Sequence, residues 1–152
     1  MSNVEVNPAM IDEQAALRQL IELYAYDFSE FNRADVGADG HYGDYPYFDA
    51  IWTDDDRHAL LFRVDGHLAG FAIVRTGDPN DMAEFFVMRK YRRSGIGVDA
   101  ARAVFTRFPG PWQTRQQFAN AGATTFWRQA IPGAFEEADN SEGPVQRFVI
   151  PS

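Results

Sequence analysis

The chain contains no cysteine. That absence removes any disulfide framework, thiolate metal site or cysteine nucleophile. It also has no apolar run near the roughly 20 residues that a membrane-crossing helix needs. Its first residues, MSNVEVNPAM, lack the basic-then-apolar order of a secretion signal, so a cytoplasmic location is the expectation. Positive charge is short as well, with 14 Lys and Arg against 22 Asp and Glu, leaving a formal net charge of -8. Such a balance argues against a broad nucleic-acid surface. Histidine is sparse: His41, His58 and His67 are scattered without metal-ligand spacing, and we read none as catalytic or metal-binding. The chain shows no internal repeat and no long low-complexity tract.

What remains is a chain of 152 residues, 45% apolar and 14% aromatic, read as one globular domain over 1–152. Residues 11–31 read as an amphipathic helix, because Leu17, Leu20, Ile21, Tyr24, Phe28 and Phe31 recur at spacings of three and four. Residues 34–56 hold seven aspartates and no Lys or Arg, interleaved with Tyr42, Tyr45, Tyr47, Phe48 and Trp52. Glycines and a proline break this stretch into an irregular loop. Residues 59–75 carry two apolar runs around Asp65-Gly66, the pattern of a β-hairpin. Residues 82–88, MAEFFVM, read as a buried strand with one acid, Glu84. A helix over 98–107, a strand over 112–118, a short helix over 121–130 and a last strand over 145–150 follow. The predicted order is α, β-hairpin, β, α, β, α, β: a mixed α/β domain with one sheet.

Against the acidic background, Arg89, Lys90, Arg92 and Arg93 place four positive charges within five residues, just before Gly95 and Gly97. A strand leading through a glycine turn into a helix offers unpaired N–H groups at the positive end of a helix dipole, where phosphate fits. The same hexapeptide, RRSGIG, also fits an exposed turn with solvated arginines. A Walker-type loop is excluded, since Val98-Asp99 stands where Lys-Ser/Thr is needed. A dinucleotide fingerprint is formally met by Gly95, Gly97 and Ala100. It lacks its ribose-binding acid about 20 residues on, there being no Asp or Glu between Asp99 and Glu136.

The segment YRRSGIGVDAARAVF resembles the acetyl-CoA-binding segment of the GCN5-related N-acetyltransferase (GNAT) superfamily, with Arg92, Gly95 and Gly97 at the positions of its Arg/Gln-x-x-Gly-x-Gly/Ala pattern. EFFVM supplies the upstream strand, and Asn120, Ala123 and Phe126-Trp127 supply the later short helix. The resemblance covers residues 59–131. It implies a single, mostly antiparallel mixed sheet flanked by helices. It also implies direct transfer of acetyl from the cosubstrate acetyl-CoA to an amine of a small molecule or peptide.

Carried onto this chain, the glycine turn is expected to wrap the coenzyme A pyrophosphate with Arg92, Arg93, Ser94, Gly95, Ile96 and Gly97. Free backbone groups of Val87 and Met88 would pair with the pantetheine amides. Asn120 would reach the same arm, although a plain helix cap explains it equally. Glu84 is the candidate general base; a strand-end glutamate facing solvent or an arginine is the alternative. Trp127 stands where many family members have a tyrosine that protonates the leaving thiolate, and indole is not a usable acid. It is therefore assigned to packing against the cofactor, or to the core. The acceptor is expected along residues 28–56, with Phe28, Phe31, Tyr42 and Tyr45 as contacts and the aspartates favouring a cationic amine; a solvated acidic loop fits the same residues. Dimers are common in the family, and a homodimer through the last strand is compatible with this reading. Two rivals remain: a non-catalytic acyl-CoA-binding or regulatory module on the same fold, and nucleic-acid binding through residues 89–93, which the net charge disfavours.

Overall fold

Val4 and Val6 alternate with polar neighbours, and that short pattern is enough to start the sheet. Val4–Pro8 forms the first strand, β1, of the computed structural model, which describes residues 2–152. The sequence pattern predicts a helix as the first element instead, because two valines make a weak periodic signal. A 3-10 turn at Ile11–Glu13 leads into helix α1 (Gln14–Asn32), which ends on left-handed Arg33. The aspartate-rich stretch is irregular apart from a single helical turn, α2 (Ala50–Thr53). Next come β2 (Arg57–Val64), β3 (His67–Arg75) and β4 (Asn80–Val87), then α3 (Ile96–Arg107), β5 (Gly110–Arg115) and α4 (Ala121–Ala130). The chain closes with β6 (Glu136–Asp139) and β7 (Pro144–Ile150). All four β6 residues are exposed, so no apolar alternation announces that edge strand.

The seven strands form one sheet in the order β1-β2-β3-β4-β5-β7-β6. Every neighbouring pair is antiparallel except β4 and β5, which are parallel. The β2–β3 connection is the expected tight hairpin: Asp65 and Gly66 have φ of 52° and 80°, the twist that matches the flanking strands. The apolar run in β2 is buried on both faces of the sheet. Leu60 and Phe62 pack with α3 and α4 through Ala100, Val104, Phe105 and Trp127, while Leu61 packs with α1 through Leu17 and Leu20. Helices thus cover both faces, as a sheet buried on both sides requires. Among the described residues, no helix is long and apolar enough to cross a membrane.

β4 and β5 pair only at Asn80–Trp112 and Asp81–Gln113, and then separate. The joined end is tightly tied. Arg115 grips Asp81 with two hydrogen bonds of 3.1 and 2.7 Å, and Gln113 adds a third at 3.2 Å. Buried Asn80 bonds the Phe108 carbonyl at 3.2 Å and accepts from the Gly77 amide at 2.9 Å. The other end of β4 is held against β3, where Gly70 is needed for space: a Cβ there would lie 2.0 Å from the Phe86 carbonyl oxygen. Gly70→Ala is accordingly expected to lower the unfolding free energy by roughly 3 kcal/mol in urea titrations, against under about 0.5 kcal/mol if the approach were slack.

Candidate active site

The opening between β4 and β5 is the mouth of a cleft of about 1350 Å³ that runs from α1 across the strand ends to α3 and α4. Its chemistry begins with a β-bulge. Ile73 pairs with Glu84 and Val74 with Met82, leaving Ala83 without a partner on β3. The extra residue shifts the alternation of side chains along β4. Met82, Phe85 and Val87 join the layer of α3 and α4, whereas Glu84 and Phe86 face α1.

Glu84 is held from two directions. Tyr24 of α1 donates its hydroxyl to Oε1 at 3.0 Å, and Tyr45 of the aspartate-rich loop donates to Oε2 at 3.1 Å. Burial raises the Glu84 pKa above the ordinary carboxylate value, while the two tyrosine hydrogen bonds pull it back down. Burial and the Glu84 charge push both tyrosines well up, so they stay protonated as donors. The result is a carboxylate in the cleft wall whose affinity for a proton is increased and whose orientation is set.

The backbone supplies a second set of groups. The Met88 amide donates to Ala69 of β3 at 2.8 Å. Because bonding direction alternates along an antiparallel ladder, the amides and carbonyls of Val87 and Phe85 face the opening. Met88 does not line the cleft, whereas Phe85 and Val87 do. Beyond them, residues 93–98 form a backbone cradle. Arg93 and Gly95 take left-handed φ of 62° and 83°, α3 begins at Ile96, and no described residue accepts from the backbone N–H groups of 93–98. Such convergent amides at a helix N-terminus suit an anion.

The side chains of the basic cluster divide their roles. Arg92 bonds the Val87 carbonyl through Nε and Asp27 of α1 through Nη2, both at 2.8 Å. Arg89 meets the same carboxylate at 3.1 Å. Arg93 lines the cleft and has no ion-pair partner among the described residues. Ser94 turns its hydroxyl to the Tyr91 carbonyl at 2.9 Å, and the Ile96 side chain is core. Gly97 serves packing as well as the turn, since a Cβ there would sit 3.0 Å from the Phe126 ring.

Asn120 caps α4 by accepting from the Ala123 amide at 3.1 Å, and it also lines the cleft. Trp127 is buried at 7% exposure, edge-on to Phe85 and Phe126 with centroids 4.9 Å away from each. Phe28 and Phe31 line the α1 end of the cleft. Tyr42 and Tyr45 do not: the Tyr42 amide bonds Glu22 at 2.7 Å and Tyr45 reaches Glu84 from behind. Among the described residues, none of the loop's aspartates lines the cleft either. Tyr24, Asp27 and Phe85 are parts of the site that sequence reasoning did not single out. Tyr24 was visible only as one more member of the apolar stripe of α1.

The sequence model of the acetyltransferase (GNAT) family matches residues 17–130. The chain belongs to that family. Solved structures with the same fold include an acetyltransferase from Thermus thermophilus, 13% identical, covering 100% of this chain and 98% of that one at a TM-score of 0.71. The PaiA N-acetyltransferase from Thermoplasma acidophilum, in complex with coenzyme A, is 12% identical, covering 98% and 99%, with a TM-score of 0.65. An aminoglycoside acetyltransferase in complex with coenzyme A and kanamycin is 14% identical, covering 97% and 95%, with a TM-score of 0.68. At these identities the likeness is one of fold. Among curated proteins, no sequence matches this chain.

Within this GNAT chain, the tyrosine bonds to Glu84 have a measurable sign. They favour the ionised carboxylate, so Tyr45→Phe is expected to move the Glu84 titration to higher pH. Carboxyl-carbon NMR of the labelled protein reads this directly, and a downward or absent shift would contradict the hydrogen-bond geometry.

Proposed function

We propose that this GNAT protein is an N-acetyltransferase that moves acetyl from acetyl-CoA directly to an amine, with Glu84 as general base. The observation that carries this reading is one continuous cleft holding three matched features. An amide cradle for phosphates lies at residues 93–98, two peptide units on β4 face the opening, and a buried carboxylate with raised proton affinity stands beside them.

In this reading the diphosphate lies on the 93–98 amides with Arg93 as its free cation. The pantetheine arm runs along Phe85 and Val87 as an added strand, using the Phe85 amide and carbonyl and the Val87 amide, since Arg92 already holds the Val87 carbonyl. The thioester then arrives near Glu84. An acceptor ammonium must lose a proton before its nitrogen can attack the thioester carbon, and Glu84 takes that proton directly or through water. The C–N bond forms, the C–S bond breaks, the thiolate leaves, and the nitrogen sheds its remaining extra proton to solvent. Trp127 gives no acid at the position where relatives often have tyrosine, so solvent protonates the thiolate.

The acceptor approaches from the α1 side, between Phe28 and Phe31. Glu30, Glu84 and Glu142 line the cleft, and none of them has an ion-pair partner among the described residues. Carboxylates beside aromatic faces favour a cationic amine with an apolar body. None of the aspartates of 34–56 lines the cleft, so in this reading the preference rests on the cleft's own glutamates. The solved neighbour that holds kanamycin, a polyamine, lends the class indirect support.

Release of free thiol from acetyl-CoA across a panel of amines tests the activity. Glu84→Gln should lower kcat by roughly a hundredfold or more while acetyl-CoA binding persists. The pH dependence has a definite sign. The base must be ionised and burial raises its pKa, so activity should fall as pH drops through a midpoint above the ordinary carboxylate value. Acetyl-CoA binding without thiol release across the whole panel would favour the second reading, a non-catalytic acyl-CoA module. Trp127 is the observation that motivates that alternative.

A further inference from the structure

The wall of the cleft on the β5 side carries a pair of interlocked amides. Gln116, directly after β5, lines the cleft and is 8% exposed. Its Nε2 donates to Oε1 of Gln146 in β7 at 2.7 Å, and Nε2 of Gln146 donates back to its Oε1 at 2.9 Å. Gln146 is fully buried, and its other groups are also engaged. Its second N–H goes to Oε1 of Glu137 at 2.8 Å, and its carbonyl accepts from the Thr114 hydroxyl at 2.7 Å. A primary amide has two N–H donors and two acceptor lone pairs. Gln146 is therefore saturated. Gln116 keeps one N–H and one lone pair, which in a reciprocally paired amide point to opposite sides of its Cγ. The β6–β7 turn closes against this residue because Gly143 has no Cβ, which would lie 2.0 Å from the Gln116 carbonyl oxygen.

A linked amide pair has two orientations, related by turning both groups over, and Glu137 selects one. Arg128 of α4 holds the Glu137 carboxylate with two bonds of 2.9 and 2.6 Å. The Arg128 bonds, with help from the Gln146 amide, lower its pKa to about 2, so it is ionised at neutral pH. An ionised carboxylate only accepts. Gln146 must face it with N–H, and Gln116 must in turn face Gln146 in the matching sense. The order set at the protein surface by Arg128 and Glu137 thus reaches the cleft wall.

We propose that Gln116 is a cofactor-contacting residue that reads a secondary amide of the pantetheine arm, with Gln146 and Glu137 as positioning residues that fix which of its atoms meets the ligand. This rests on the acetyl-CoA reading above. It places a side-chain amide on the β5 side of the same opening that Phe85 and Val87 face from β4. Pantetheine carries two secondary amides, each with one donor and one acceptor, so the one free group that Gln116 turns to the cleft can find its complement on the arm. The nucleotide half of coenzyme A has no such group, and in this reading it binds elsewhere, at residues 93–98.

The distinction gives the test. Dissociation constants for acetyl-CoA and for adenosine 3′-phosphate 5′-diphosphate, the nucleotide half alone, are measured by calorimetry on the full chain and its variants. Gln116→Met keeps the side-chain length and removes both hydrogen-bonding groups. It should weaken acetyl-CoA about tenfold and leave the nucleotide within about twofold. Glu137→Lys, at an exposed position, replaces an acceptor-only group by a donor-only one and selects the reversed amide orientation. It should weaken acetyl-CoA roughly three- to tenfold, again sparing the nucleotide. Should Gln116→Met fail to fold, Glu137→Lys carries the test. Unchanged acetyl-CoA affinity, or equal weakening of both ligands, overturns the proposal. Wild-type protein that binds neither ligand overturns the acetyl-CoA reading itself, and this assignment with it.

Discussion

Strands β4 and β5 share only two residue pairs before they part, and the rest of the molecule is arranged around that incomplete ladder. Backbone amides and carbonyls lying away from water need partners. A parallel pair that opens after its first residues therefore leaves a slot that asks for something with peptide-like donors and acceptors. The Asp81–Arg115 grip and the buried Asn80 fasten the joined end. The close approach of Gly70 to Phe86 holds β4 against β3, so the slot is a fixed feature of the sheet.

Three devices convert the slot into a site with a direction. The glycine turn before α3 sets phosphate-compatible amides at one end. The bulge at Ala83 turns Glu84 toward α1, away from the layer that holds Phe85 and Val87, so that the carboxylate and the outward backbone groups serve different faces of one strand. Asp27 ties α1 to Arg89 and Arg92 at the strand end, which fastens that helix to the glycine turn. Burial, two tyrosine hydroxyls and distant Arg115 and Asp81 then act together on one proton site.

The aspartate-rich stretch contributes to the core as well as to the surface. Its aromatic residues build the lower layer of the core: Phe48 and Ile51 pack with Leu17 and Leu20, and Tyr45 reaches through to Glu84. Its aspartates face solvent around that apolar centre, and Arg57 stacks on Tyr47 with its guanidinium 3.9 Å from the ring centre. The loop holds Glu84 from behind through Tyr45, and none of its residues lines the cleft.

Local signals settled a large share of the protein. The Asp65-Gly66 hairpin, the apolar stripe of α1, the cap at Asn120 and the glycine turn at residues 93–98 depend on neighbours within a few positions, so periodicity and turn chemistry expose them. The family motif was legible for the same reason. Two strands escaped, VEVNP because it is short and EEAD because an exposed edge carries no apolar alternation. The site's finer chemistry needed the tertiary structure, because it depends on contacts between residues far apart in the chain. Arg92 reads as a phosphate ligand in sequence, and only packing reveals that Asp27, 65 positions earlier, already holds it. A bulge at Ala83 is invisible in MAEFFVM, since its cause is register against β3, yet it decides where Glu84 points. From the residues alone came the identity of the fold and of the glycine turn before α3. Which carboxylate is buried, which backbone edge stays open and which amide faces the cleft were decided only when the strands came together.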